Sequence, residues 1–272
     1  MLIDVATSNN YKPTLVEWCF KISEKLFNTS TLTQQQINML KFLNENDYTI
    51  IKSYRSAGLT TLYLLKMAYD VTHNHNSGDY NIIYVTHETD CGRYEFESFM
   101  KILDLCEDEV FFEKVDNMAI KIYNKESTFL VRFSGPNLKK KNSENFNDVY
   151  VDNCSFIDYE DDLRIIIETC DRASIGSTPN KKRGIFFKLW TSSKFGHTKF
   201  KPFTMKWYLD DMINSSLIGV EDGISYNIEN NEMLYEAIES GAEITNDWRN
   251  KMKDILSQKS IYNEIDGKFL EI

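Results

Sequence analysis

Proline and glycine are scarce, at 4 and 11 of 272 residues. No Pro-, Gly- or Ser-rich stretch interrupts the chain, so composition offers no linker and no support for a two-domain split. Internal repeats and low-complexity tracts are missing as well. Apolar runs stay well short of the ~18 residues a membrane-crossing helix needs, and nothing reads as a secretory leader. No membrane partner is expected.

The five cysteines (Cys19, Cys91, Cys106, Cys154 and Cys170) are odd in number and form no C-x-x-C pair. That argues against a disulfide framework and for a soluble chain in a reducing compartment. Four histidines show no metal-ligand spacing; His73 and His75, in Thr-His-Asn-His-Asn-Ser-Gly, are expected at a helix end and loop. Positive charge is in deficit, with 31 Lys and Arg against 41 Asp and Glu. A net charge of -10 argues against a broad, sequence-independent grip on nucleic acid by the whole surface. Two local basic runs, Lys139-Lys-Lys141 and Lys181-Lys-Arg183, are expected in solvated loops.

What is present is a 42% hydrophobic chain in which strand and helix patterns alternate between residues 48 and 207. The alternation predicts an α/β fold with a mainly parallel sheet. Helices are expected at 14–27 and 34–43, the second capped by Thr33. Strands are expected at 48–52 and 81–86, with helices at 60–71 and 93–106. A hairpin follows at 119–123 and 128–133, then short buried strands at 148–152 and 173–176. A helix at 185–191 and a strand at 203–207 complete the core, and helices at 231–240, 246–257 and 260–266 read as a lid.

Three segments carry candidate chemistry. In Ile50-Ile-Lys-Ser-Tyr-Arg-Ser-Ala-Gly-Leu-Thr-Thr-Leu62, a strand runs through small residues into a helix. Ser56, Ala57 and Gly58 would let backbone N–H groups face an anion at the positive end of that helix. Thr60 stands where a hydroxyl would ligand Mg²⁺, with Thr61 beside it. Leu59 occupies the place of the usual lysine, leaving Lys52 or Arg55 to supply charge to the phosphates. An ordinary strand–turn–helix junction would carry the same residues.

The second segment is Val149-Tyr-Val-Asp-Asn-Cys-Ser-Phe-Ile157, where Asp152 emerges at the C-terminal end of a strand, able to join a Mg²⁺ shell. Asn153 stands where a second carboxylate would activate water, and it cannot accept a proton. Asp158, Glu160, Asp161 and Asp162 follow a few residues on as substitutes. The third is Ser174-Ile-Gly-Ser-Thr-Pro-Asn180, readable as a γ-phosphate sensor or as a plain turn.

The order and content of these blocks resemble the ATPase half of the large terminase subunit, the motor that packages DNA in tailed phages. Leu32-Thr-Gln-Gln-Gln36 resembles that family's adenine-reading element, with Gln36 in the reading position. Arg55-Ser-Ala-Gly-Leu-Thr60 resembles its phosphate loop, 149–157 its hydrophobic-Asp-Glu-Cys-Ala-Phe-Ile segment, and 175–180 its coupling motif, carrying Ser177, Thr178 and Asn180. Segments 184–190, 203–207 and Trp248 through Phe269-Leu-Glu-Ile continue the likeness, which covers residues 32 to 272.

The resemblance implies a three-layer P-loop NTPase core with a small helical lid. Its parts would be N-terminal helices with the adenine element at 1–47, an ATPase core at 48–210 and a lid at 211–272. It implies ATP and Mg²⁺ as cofactors and ring assembly around double-stranded DNA in the cytoplasm of an infected bacterium. Portal protein and small terminase subunit are implied partners, with any nuclease on a separate chain. No counterpart of the family's nuclease half is found in these residues, so DNA cleavage is not expected. Asn153 in place of the family's Glu, and Leu59 in place of its Lys, leave open a hydrolysis-deficient, nucleotide-binding or structural subunit. A helicase-type translocase would need arginine fingers after residue 207, where only Arg249 stands.

Overall fold

In the computed structural model, the described residues are 12–28, 32–73, 78–106, 110–124, 127–136, 138, 145–210, 213–214 and 216–269. The basic run 139–141 and the last three residues of the Phe269-Leu-Glu-Ile segment lie outside them. Two helices open the described chain, α1 (Leu15–Phe27) and α2 (Gln34–Glu45). Each starts with a reciprocal capping box, Thr14 with Glu17 and Thr33 with Gln36, which satisfies leading N–H groups that a helix leaves open.

The sheet and its helices follow as β1 (Tyr48–Lys52), α3 (Leu59–His73), β2 (Gly78–Val85), α4 (Thr89–Asp104), β3 (Phe111–Asp116), β4 (Ala119–Tyr123), β5 (Ser127–Ser134) and β6 (Asp148–Val151). Then come α5 (Glu160–Thr169), β7 (Arg172–Ser177), α6 (Gly184–Lys194) and β8 (Lys201–Thr204). Eight strands pair in the order β3-β4-β5-β2-β6-β7-β1-β8. The run from β5 to β8 is parallel, and the hairpin β3-β4 closes one edge in antiparallel register. Because β7 lies between β1 and β6, the ends of those two strands face each other across one strand's width.

Helices cover both faces. Trp18, Leu40, Leu65 and Phe99, from α1 to α4, pack on one side of the sheet. Leu163, Ile166, Ile185 and Phe186, from α5 and α6, pack on the other. Burial of each such side chain contributes about 1.5–3 kcal/mol. α3 is buried along nearly its whole length and carries an internal ion pair, Lys66–Asp70 at 2.6 Å. Arg172 extends this network to Asp148, which also accepts from the Tyr80 hydroxyl at 2.9 Å. Among the described residues, no helix is long and apolar enough to cross a membrane.

Three expectations need correction. The acidic run at 160–162 is the first turn of α5, where carboxylates complement the helix dipole. The strand expected at 203–207 is β8, ending at Thr204, with a 3₁₀ turn at Trp207–Leu209 after it. The lid is not wholly helical. α7 (Asn231–Ser240) and α8 (Asp247–Ile255) are accompanied by a three-stranded antiparallel sheet of β9 (Ile218–Glu221), β10 (Ile224–Asn227) and β11 (Glu243–Thr245). Leu217, Leu234, Ile244, Ile261 and Ile265 of this region are buried in the same core as α1 to α4.

Candidate functional site

The segment between β1 and α3 folds as a tight turn. Ser56 and Gly58 take left-handed backbone angles, with φ of 68° and 80°. Gly58 meets that demand without strain, and a Cβ there would also approach Gln36 Nε2 to 2.8 Å. Gln36 braces the turn from behind: its Nε2 donates to the Ala57 carbonyl at 3.1 Å, and its Oε1 accepts from Thr33 N at 3.0 Å. Both ends of its amide are therefore engaged within the chain.

In front of the turn lies a cleft of about 470 Å³. Arg55, Ser56, Ala57, Leu59 and Thr60 line one side, Asp152, Asn153 and Thr178 the other. Gln36 and Thr61 are not among its lining residues. The leading N–H groups of a helix have no partner within it, and here the helix begins at the cleft wall with Leu59.

Asp152 is buried, 2% exposed, directly beyond the last residue of β6. Its carboxylate accepts from the Thr60 hydroxyl, from the Tyr84 hydroxyl at 2.9 Å and from Asn153 N at 2.8 Å. Burial raises its pKa, and these hydrogen bonds oppose the rise. Asn153 adopts φ 55° and ψ 33°, a conformation asparagine tolerates better than most side chains. Its amide type is thus matched to the backbone that places it at the cleft.

The end of β7 ties the two sides together. The Ser177 carbonyl accepts from Ser53 N at 3.0 Å, and its hydroxyl oxygen accepts from Ser155 N at 3.1 Å. Thr178 lines the cleft, and Asn180 lies half-buried two residues on.

Lys52 does not reach the cleft, which corrects its expected phosphate role. Strand alternation puts it on the side of Ile50, toward α6, with its ammonium 5.3 Å from the Trp190 ring centre. Burial first, then Lys194 and Lys206, pushes its pKa down to about 8. Leu59, in the lysine position, packs toward β7, where a Cβ on Gly176 would come within 2.6 Å of its Cδ2. Asp158, Glu160, Asp161 and Asp162 are not among the cleft's lining residues, and Glu160 pairs with Lys188 at 3.3 Å.

Sequence reasoning missed five further lining residues: Ser53, Tyr54, His87, Phe156 and Glu264. Tyr54 donates its hydroxyl to Asp210 and stands edge-on to Trp248, so the turn is fastened to the region after the core. Glu95 was also passed over; burial first, then Asp152, pushes its carboxyl up to about 8. His87, Glu88 and Cys91 bring ligand atoms within 4.8 Å of one another. Glu88 is the N-cap of α4, where the helix dipole works against a cation.

No family model and no curated protein matches this chain. Solved structures do. The large terminase of a thermophilic bacteriophage aligns over 88% of this chain with a TM-score of 0.62 at 10% identity. The fold is that of large-terminase ATPase domains. The Thermus phage P74-26 large terminase ATPase domain aligns with a TM-score of 0.60 at 11% identity, covering 91% of this chain and 97% of that one. The HK97 bacteriophage large terminase gives 0.61 at 10%, covering 93% of this chain. The chain spans 54% of the length of the thermophilic-phage and HK97 terminases. The thermophilic-phage terminase was also solved with ADP and with ATP-γ-S.

Proposed function

We propose that this chain is the ATP-binding motor domain of a terminase-like machine that packages viral DNA in an infected bacterial cell. The observation that carries the reading is the Thr60 hydroxyl bonded to the Asp152 carboxylate at the mouth of the phosphate turn. Those two oxygens, one from the start of α3 and one from the end of β6, are the donor set a hard divalent cation takes. The residues present therefore fit Mg²⁺, which when bound would neutralise phosphate charge.

Within that reading, Ser56 to Gly58 and the start of α3 cradle the phosphates, and Arg55 supplies the local positive charge. Gln36 acts on the nucleotide through the turn it braces. Thr178 senses the phosphate end, and Ser177 passes its position to both walls. Double-stranded DNA, a portal and a small terminase subunit are the partners this reading carries.

Asn153 and Leu59 favour a second reading, a nucleotide-gated subunit that binds without turning over. Loss of a general base costs roughly 10²–10⁴-fold in rate. Single-turnover ATP hydrolysis with Mg²⁺, combined with thermal shift, separates the two. Turnover that vanishes in Asp152→Ala supports the motor; stabilisation by ATP without turnover supports the gated subunit; neither response refutes both.

A further inference from the structure

Asn153 cannot take up a proton, and the strand beside it brings a side chain that can. β2 runs parallel to β6 in a register that ends at Val85–Val151, after which Asp152 N donates to the Val85 carbonyl at 2.9 Å. His87 and Asn153 each lie two residues beyond that pair, and both line the cleft. The Tyr159 hydroxyl donates to the Thr86 carbonyl and fixes the chain there.

Among the described lining residues, Asp152, Glu264 and His87 are the side chains able to accept a proton near neutral pH. Asp152 is committed to Thr60, Tyr84 and Asn153 N, and Glu264 Oε2 accepts from Arg55 Nη1 at 2.6 Å. The His87 ring is held more loosely. Thr86 Oγ1 lies 3.4 Å from its Nδ1, and Glu88 Oε1 stands 3.9 Å from its Nε2, beyond hydrogen-bond reach. The side chain is 25% exposed and flanked by Phe156, with ring centres 5.9 Å apart. An imidazole so placed suits proton transfer at neutral pH.

On the reading of the cleft as a nucleotide site, we propose that His87 is the proton acceptor for the attacking water, in place of a carboxylate at 153. The water oxygen bonds to the γ-phosphorus as the bond from that phosphorus to the β–γ bridging oxygen breaks. ADP leaves with the bonding pair. One water proton passes to an imidazole nitrogen of His87 and from there to solvent; the other stays on the phosphate. The base has moved to the neighbouring strand, so Asn153 is compatible with turnover.

The test uses the full chain with Mg²⁺, and His87→Ala and His87→Gln as variants. Both should keep their thermal stabilisation by ATP-γ-S, while single-turnover ATP hydrolysis falls about 10²–10⁴-fold. Added imidazole should restore part of the rate in His87→Ala. In the unaltered chain, the ring-proton NMR signal that His87→Gln removes should shift when ATP-γ-S binds. Undiminished hydrolysis in either variant, a loss that imidazole does not relieve, or a His87 signal that ATP-γ-S leaves in place overturns this role alone. So does an unaltered chain that ATP-γ-S stabilises but that does not hydrolyse ATP. Absence of stabilisation in every form overturns the nucleotide reading and the role of His87 with it.

Discussion

Thr60 and Asp152, 92 positions apart, share one hydrogen bond across the strand that separates β1 from β6. The bond closes the cleft while costing the fold a buried carboxylate. Asp152→Asn should therefore raise the melting temperature of the ligand-free protein slightly at neutral pH. It should at the same time abolish the extra stabilisation by ATP and Mg²⁺. Thermal shift with and without ligand reads both effects, and a variant that keeps the ligand response would remove Asp152 from the site.

Gly176 and Gly58 are expected to fail for different reasons when changed to alanine. At Gly176 the new methyl meets Leu59 and Tyr63 Oη at 2.6 and 2.7 Å, so overpacking should cost about 1–3 kcal/mol. At Gly58 the strain is in the backbone and in Gln36, so the turn is disturbed directly. Urea melts should show both losses. Pairing Gly176→Ala with Leu59→Ala should recover part of the first.

Glu95 gives a pH signature. Its carboxyl is raised from an ordinary 4.5 to about 8, so the folded state holds the proton more tightly than the unfolded chain. Its stabilising contribution is complete below about pH 4.5 and is lost as the pH rises through about 8. Glu95→Gln should therefore melt higher than the unaltered chain above about pH 8, with the gap closing toward pH 4.5. A gap that stays constant across the range would refute the assignment.

Asn153→Glu tests the second reading. The left-handed backbone should make this change cost about 1 kcal/mol, while placing a carboxylate at the cleft. A motor lacking only its base should turn over faster in single-turnover assays despite the lower stability. Turnover unmoved from background would point to Leu59 as the next lesion.

The sheet core was legible because β1, β2 and β6 carry short apolar runs and their connecting helices are periodic. Strand β3 was not, since its residues are largely exposed and show no buried face to read. The strands of the small sheet, three or four residues each, are too short to carry a period. At the site, Thr60, Asp152 and Thr178 follow from local patterns at strand ends. The position of Lys52 depends on which face of β1 it occupies, and Glu264 reaches Arg55 by a contact that no local spacing encodes. Gln36 stands behind the turn rather than in the cleft lining, its amide directed at Ala57 and Thr33 by the capping geometry of α2.

Ser177 touches the two walls with chemically different atoms: a backbone carbonyl holds Ser53, and a side-chain oxygen holds Ser155. Only the second can be removed by substitution. Ser177→Ala would keep the sheet register with β1 and cut the link to the segment after Asp152. Deleting that single oxygen atom thus shifts the coupling of the two walls onto the Thr60–Asp152 bond.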